Sequence, residues 1–326
     1  MSTWSLHDDL TFIDGLIISN WSRSIFEDMR RGGLTAANCT CSIWENFSDT
    51  MRNIGRWQGW FRDHADLIVQ VRHVADIEQA KRDGKTGIIL GFQNVSAFED
   101  QLGHVGLFKA LGVGVAQIAY NTQNLVGTGC YESRDGRLSD FGREVIAEMN
   151  RVGMLCDLSH VGPATSRDVI LASNKPVAYT HILPAALKAH PRNKSDEEIR
   201  FIADRGGFVG VTMFPPFLAR GNDATIDDYV EAIDYVAHIA GEDNVGIGTD
   251  FTQDQERSFF EWLCHDKGYA RRLVDFSDVV NPLGLRRLGE FPNLTGAMQR
   301  AGWSERRIRK IMGENWIRLL REVWGK

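Results

Sequence analysis

The sequence has few cysteines and no motif that would use them together. Its 326 residues include five cysteines, and no two of them form a Cys-x-x-Cys pair. The odd number and the spacing argue against a disulfide framework and against a zinc site built from thiolates. The Gly-x-Ser-x-Gly turn, which carries the serine nucleophile in one large class of hydrolases, does not occur either. We therefore expect reduced thiols, and we expect neither a thiolate zinc site nor a serine nucleophile of that class.

The chain also lacks an excess of positive charge and lacks long apolar runs. Its net charge is -6 and its pI is about 5.9, which gives no electrostatic reason to expect binding to nucleic acid or to an anionic membrane. No apolar run is long enough to span a bilayer, and the start lacks the basic and apolar segments of a secretory signal. We expect a cytoplasmic protein whose partner is a small molecule.

What the chain does contain is a repeated strand and helix pattern. Short apolar runs alternate with segments of helical period, and several runs are apolar throughout, as expected for strands covered on both faces. Eight such runs predict an α/β fold, a (β/α)8 TIM-type barrel, with a helical C-terminal extension in two helices over 304–312 and 314–324. No low-complexity linker interrupts the chain, so residues 1–326 are expected to form one domain. The predicted strands are 12–18, 35–42, 87–92, 114–119, 154–158, 176–180, 208–213 and 245–249, and a polar, aromatic-rich loop is predicted over 251–272.

Two histidines follow successive predicted strands. His160 ends the run Met-Leu-Cys-Asp-Leu-Ser-His, and His181 ends Pro-Val-Ala-Tyr-Thr-His. Since the carboxyl ends of parallel barrel strands share one face, both imidazoles should meet there as a metal pair or as an acid/base pair. Asp250 follows the last strand and could be a third ligand, a base or a helix cap, while Gln93 offers only an amide oxygen.

Longer motifs resemble the membrane (renal) dipeptidases, zinc enzymes with a β/α barrel. The resemblance covers nearly the whole chain and is firmest from Leu138 onward. The motifs are Leu-Ser-Asp-Phe-Gly-Arg-Glu from 138, Asp-Leu-Ser-His-Val from 157, His-Pro-Arg-Asn from 190, Gly-Gly-Phe-Val-Gly-Val from 206, Gly-Ile-Gly-Thr-Asp-Phe from 246 and Gly-Glu-Asn-Trp from 313.

The resemblance assigns roles to several residues of this chain. It implies that His160 and His181 bind one of two metals, that Arg192 binds the substrate carboxylate and that Asp250 is catalytic. Asn121 is expected to contribute to substrate binding beside Tyr120.

Other positions depart from the family pattern. The first strand of the family supplies two ligands to the other metal, and here those positions are Leu16 and Ile18. The glutamate that bridges the two metals is replaced by Gln93, and a catalytic histidine is replaced by Tyr120, which could act as a hydroxyl donor. The resemblance therefore implies at most one divalent ion, zinc by preference, with Gln93 as its weakest ligand, or no ion at all.

The resemblance, together with these departures from the family pattern, implies two possible functions. The first is a metallohydrolase acting on a small dipeptide, amide or amino-acid-like substrate that bears a carboxylate. The alternative is a catalytically silent barrel that binds a small zwitterion, such as an N-methylated amino acid, as an accessory or sensor protein in glycine-betaine or dimethylglycine breakdown. Aromatic residues late in the chain suggest homo-oligomer formation.

Overall fold

Eight parallel strands close into a barrel in the computed structural model, which describes residues 5–276 and 278–325. The circuit closes because the first strand pairs with both the second and the last. The strands are β1 (Ile13–Ile17), β2 (Ala36–Ser42), β3 (Ile68–Gln70), β4 (Thr86–Phe92), β5 (Val113–Gln117), β6 (Leu155–Asp157), β7 (Ala178–Ile182), β8 (Phe208–Val211) and β9 (Val245–Ile247). Because β2 pairs directly with β4, the short β3 adds to the edge of β4 and is not one of the eight barrel strands. The predicted (β/α)8 barrel is confirmed.

Helices surround the barrel and extend it at the C-terminal end. They are α1 (Leu6–Asp9), α2 (Arg23–Arg31), α3 (Phe47–Asp63), α4 (Val74–Arg82), α5 (Gly103–Ala110), α6 (Asp140–Val152), α7 (Pro163–Ala172), α8 (Asp196–Ala203), α9 (Ile226–Ala240), α10 (Arg257–Leu263), α11 (Phe291–Arg300), α12 (Glu305–Arg309) and α13 (Asn315–Trp324). The prediction that 251–272 is a loop was wrong in part, since α10 lies within it. Phe259, Phe260 and Leu263 have helical spacing, but only Leu263 of α10 is buried.

The C-terminal helix α13 covers the amino end of the barrel. Trp316 is buried there, donates from its indole Nε1 to the carbonyl oxygen of Ile247 at 2.9 Å, and packs on the Phe208 ring at 4.2 Å between centroids. A Cβ atom added to Gly15 or Gly246 would lie 2.4 or 2.7 Å from this indole, so the glycines make room for it. The carboxyl end of the barrel is not covered by α13.

Within the described residues, no helix combines the length and apolarity needed to cross a bilayer.

Asp14 joins the first and last barrel strands. Its carboxylate accepts from the backbone N of Thr249 at 2.8 Å and of Leu16 at 3.1 Å, and from the Thr249 hydroxyl at 2.5 Å. Burial nevertheless raises the pKa of this carboxyl from 3.8 to about 7. The barrel therefore contains an acid that titrates near neutrality.

The raised pKa of Asp14 predicts a pH-dependent stability. The folded chain holds the Asp14 proton more tightly than the unfolded chain does. The resulting stabilisation of the fold is fully present below pH 3.8 and is lost as pH rises towards 7. We expect the free energy of unfolding of the unmodified chain, minus that of Asp14→Asn, to fall between pH 5 and pH 7.5. Denaturant titrations at both pH values measure it, and a difference that rises over this range would contradict the assignment.

Candidate active site

The imidazoles of His160 and His181 meet at the carboxyl end of the barrel. Their Nε2 atoms lie 3.0 Å apart, and both side chains are buried. His160 lies just beyond β6, whereas His181 lies inside β7, which continues to Ile182. The structure thus brings together the two histidines that the strand-end pattern selected.

Hydrogen bonds to the other ring nitrogens favour one tautomer of each ring. The Thr180 hydroxyl donates to Asp157 Oδ2 at 2.7 Å, so it accepts from His181 Nδ1 at 2.8 Å. His160 Nδ1 donates to the amide oxygen of Asn121 at 2.7 Å. With both Nδ1 atoms protonated, both Nε2 atoms are left with lone pairs that face each other.

Two facing lone pairs form a position that a cation could occupy. A proton is disfavoured, because burial first and the positive charge of Arg192 next hold the pKa of each imidazole well below 6.5. A metal ion would suit these two nitrogens, since neutral imidazole nitrogen is a preferred zinc ligand. Outward Nδ1–H groups held by oxygen acceptors are also the usual support of metal-binding histidines.

The donor set limits what such an ion could be. Among residues 5–276 and 278–325, no group of three or more His, Cys, Asp and Glu side chains is placed to hold a metal. Leu16 and Ile18 are buried and apolar, and neither can coordinate. The residues present fit one ion on two imidazoles and do not fit a pair of ions.

Asp250 lines the same small cavity as His160. Its backbone has a φ of 59°, a left-handed conformation that non-glycine residues seldom adopt and that is common at functional sites. Burial raises the pKa of its carboxyl to about 6, and the charge of Arg192 opposes that rise. At neutral pH the carboxylate is therefore ionised and close enough to its pKa to accept a proton.

Tyr120 and Asn121 form the wall beside His160. The Tyr120 ring stacks on the His160 ring at 4.1 Å between centroids, and burial holds its hydroxyl pKa well above 10, so it stays a proton donor. Asn121 also has a left-handed backbone, with a φ of 61°, which turns its amide towards His160. Both residues line the cavity.

Gln93 and Arg192 are held by protein contacts. Gln93 reaches the cavity, and its Nε2 donates to Thr40 Oγ1 at 3.0 Å, which leaves the amide oxygen as its ligand atom. Arg192 is fully buried, and its two Nη atoms donate to the carbonyl oxygens of Ser159 at 2.5 Å and His181 at 2.9 Å. The guanidinium thus ties together the segments that carry the two histidines.

The cavity also has walls that the sequence did not reveal. Its volume is about 20 Å³, enough for roughly one water molecule. The Tyr131 hydroxyl is buried there without a hydrogen-bond partner among the described residues, so it is available to a ligand. Tyr131 follows a glycine-rich loop and had no strand-end signal, and the other walls that were missed are Phe217, Thr252, Leu263 and Phe276.

Comparisons with known proteins identify the family and related folds. The model of the membrane dipeptidase family, peptidase family M19, matches residues 22–269. An amidohydrolase from Pseudomonas aeruginosa is 65% identical, with 98% of each chain covered and a TM-score of 0.97. A metallo peptidase from Rhodobacter sphaeroides, liganded with a phosphinate mimic of the dipeptide L-Ala-D-Ala, is 20% identical over 97% of this chain and 99% of that chain, with a TM-score of 0.81. At that identity the second likeness shows the fold alone. By the match over most of its length, the chain belongs to the membrane dipeptidase family.

Proposed function

We propose that this protein is a metallohydrolase that cleaves a small amide or dipeptide-like substrate bearing a carboxylate, with no more than one divalent ion. The observation that carries the proposal is the pair of facing Nε2 lone pairs beside a cavity that contains an ionisable carboxylate. Because that cavity has room for only about one water molecule, the proposal requires its walls to move apart when a substrate binds. Membership in a hydrolase family and 65% identity to an amidohydrolase favour an enzyme over the silent binder.

The metal would be held by His160 and His181, and zinc suits imidazole ligands. When bound, such an ion acidifies water and polarises a carbonyl group. Asp250 would accept the proton of the attacking water, because its pKa of about 6 keeps it ionised at neutral pH. Tyr120 would donate a hydrogen bond to the oxyanion, and Asn121 would orient the amide.

Arg192 is proposed to provide the positive charge that attracts the substrate carboxylate. Its Nε is buried and has no hydrogen-bond partner among the described residues. Because both Nη atoms already bind carbonyl oxygens, a direct contact with a ligand requires one of these hydrogen bonds to exchange. Arg192 is therefore proposed to act chiefly through its charge.

A hydrolysis panel tests the proposed function. Protein purified without chelator is incubated with L-dipeptides, with N-acyl amino acids and with N-acyl amines that lack the carboxylate, and release of the amine is measured. We expect turnover of a carboxylate-bearing amide that a chelator abolishes, and only weak turnover of ordinary L-dipeptides because the second metal site is missing. The absence of turnover across the panel, with folded and metal-loaded protein, would favour the silent binder.

Restoring the missing ligands should restore the second metal. The variant Leu16→His, Ile18→Asp, Gln93→Glu is expected to bind two divalent ions per chain, because it supplies two new ligands and an anionic bridge. Elemental analysis measures the gain, and Gln93→Glu alone is the control. A folded triple variant that binds no more metal than the unmodified chain would contradict this account. Activity need not follow, since Tyr120 also departs from the family pattern.

A further inference from the structure

A second and larger cavity lies on the other side of Ile18. It has a volume of about 390 Å³, within the range of small-molecule sites, and Ile18 lines both cavities. We call it the indole pocket, because its walls include Trp21, Trp60, Trp262 and Phe259. The hydrolysis proposed above makes no use of it.

The aromatic walls of the indole pocket support one another. Trp57 is buried and packs edge-on against both Trp21 and Trp60, with ring centroids 4.9 Å apart in each pair. Phe259 and Trp262 face them from α10, with centroids 6.1 Å apart. Supported rings lose little freedom when a ligand binds, so they favour an apolar or aromatic group.

One negatively charged residue, Glu45, and one positively charged residue, Arg56, also line the indole pocket. The Glu45 carboxylate is fixed by hydrogen bonds from the backbone N of Ile43 at 2.7 Å and from Asn53 Nδ2 at 3.1 Å, and each oxygen keeps a further lone pair. The Arg56 guanidinium makes no hydrogen bond or ion pair with any residue in the described part of the chain. A carboxylate and an unpaired guanidinium beside aromatic faces match a zwitterion with an apolar body.

We propose that the indole pocket binds a free α-amino acid with an aromatic or large apolar side chain. The ligand ammonium group contacts Glu45, the ligand carboxylate contacts Arg56, and the side chain packs among the rings of Trp21, Trp60 and Trp262. This site adjoins the cavity of the histidine pair at Ile18 and shares no other lining residue with it.

Three probes that share one ring test the proposal on the intact protein. Tryptophan fluorescence is followed during titration with L-phenylalanine, with 3-phenylpropionate, which lacks the amine, and with 2-phenylethylamine, which lacks the carboxylate. We expect saturable binding of L-phenylalanine, with each analogue weaker by about tenfold or more because one charged contact is lost. Arg56→Ala should weaken L-phenylalanine and 3-phenylpropionate and leave 2-phenylethylamine unchanged, and Glu45→Gln should weaken the two amines.

Controls separate this pocket from the rest of the molecule. Arg52→Ala removes an arginine from the same helix that pairs with Asp49 and does not line the pocket, and it should leave all three affinities unchanged. Circular dichroism establishes that each variant is folded. The proposal is overturned if L-phenylalanine does not bind saturably, if all three probes bind equally, or if Arg56→Ala behaves like Arg52→Ala. If His160→Ala loses L-phenylalanine binding while Arg56→Ala keeps it, the ligand binds at the histidine pair. That result would also overturn the proposal.

Discussion

Asp250→Asn is expected to lower kcat on the best substrate of the panel by about 10²–10⁴-fold, the usual size of a general-base contribution. The amide keeps the shape of the side chain but cannot accept the proton of the attacking water. Metal content should change little if Asp250 is the base, and should fall together with activity if it is a ligand. Steady-state kinetics and elemental analysis of the same preparation distinguish the two roles.

Asp204→Asn is the matched control for this experiment. Asp204 is exposed at the end of α8 and precedes the start of β8, at the amino side of the barrel, so the same change of charge there should leave kcat and metal content unaltered. If Asp250→Asn is as active as Asp204→Asn, then Asp250 takes no part in proton transfer and the proposed mechanism is wrong.

Trp316→Ala should cost about 3–5 kcal/mol of unfolding free energy, because it empties a large volume inside the barrel and breaks a buried hydrogen bond. The indole occupies space that Gly15 and Gly246 leave open, so neighbouring side chains cannot easily fill the cavity. Denaturant unfolding measures the loss.

Trp303→Ala is the comparison for that loss. Trp303 is partly exposed and lies under the guanidinium of Arg307, 4.0 Å from the ring centroid, so its removal leaves no internal cavity. A loss for Trp316→Ala below about 0.5 kcal/mol, the size of an ordinary surface change, would show that α13 does not stabilise the barrel as described.

The barrel could be predicted because its strands are buried on both faces and carry continuous apolar runs. β3 was missed, since three residues give no such run. The helix α2 was also missed, although Ile25, Phe26 and Met29 form a buried stripe and Ser22 caps its start. The extension was predicted as two helices, whereas the structure has α12 and α13 joined by a π-helical turn over Lys310–Glu314, where Gly313 packs against Thr11.

Site residues that directly follow a strand could be predicted, whereas site residues supplied by loops could not. His160, Gln93, Tyr120 and Asp250 line one cavity because parallel strands end on a common face. Tyr131 reaches it from a long loop, and its position depends on tertiary contacts that no local pattern encodes. Other walls come from the segment around α10, which was predicted as a loop.

The contacts of Arg192 could not be predicted from the sequence. The motif around it indicates a functional arginine, but only the structure places its Nη atoms on the carbonyl oxygens of Ser159 and His181. Its role as the group that binds the substrate carboxylate stays a prediction. The same holds for cytoplasmic localisation, for homo-oligomer formation and for a single domain over residues 1–326.

Elemental analysis of protein purified without chelator tests the central claim most directly. We expect no more than one tightly bound divalent ion per chain, lost in His160→Ala and in His181→Ala and retained in His238→Ala, which changes an exposed histidine of α9. Two ions per chain in the unmodified protein, or one ion that persists in both site variants, would contradict a single metal held between His160 and His181.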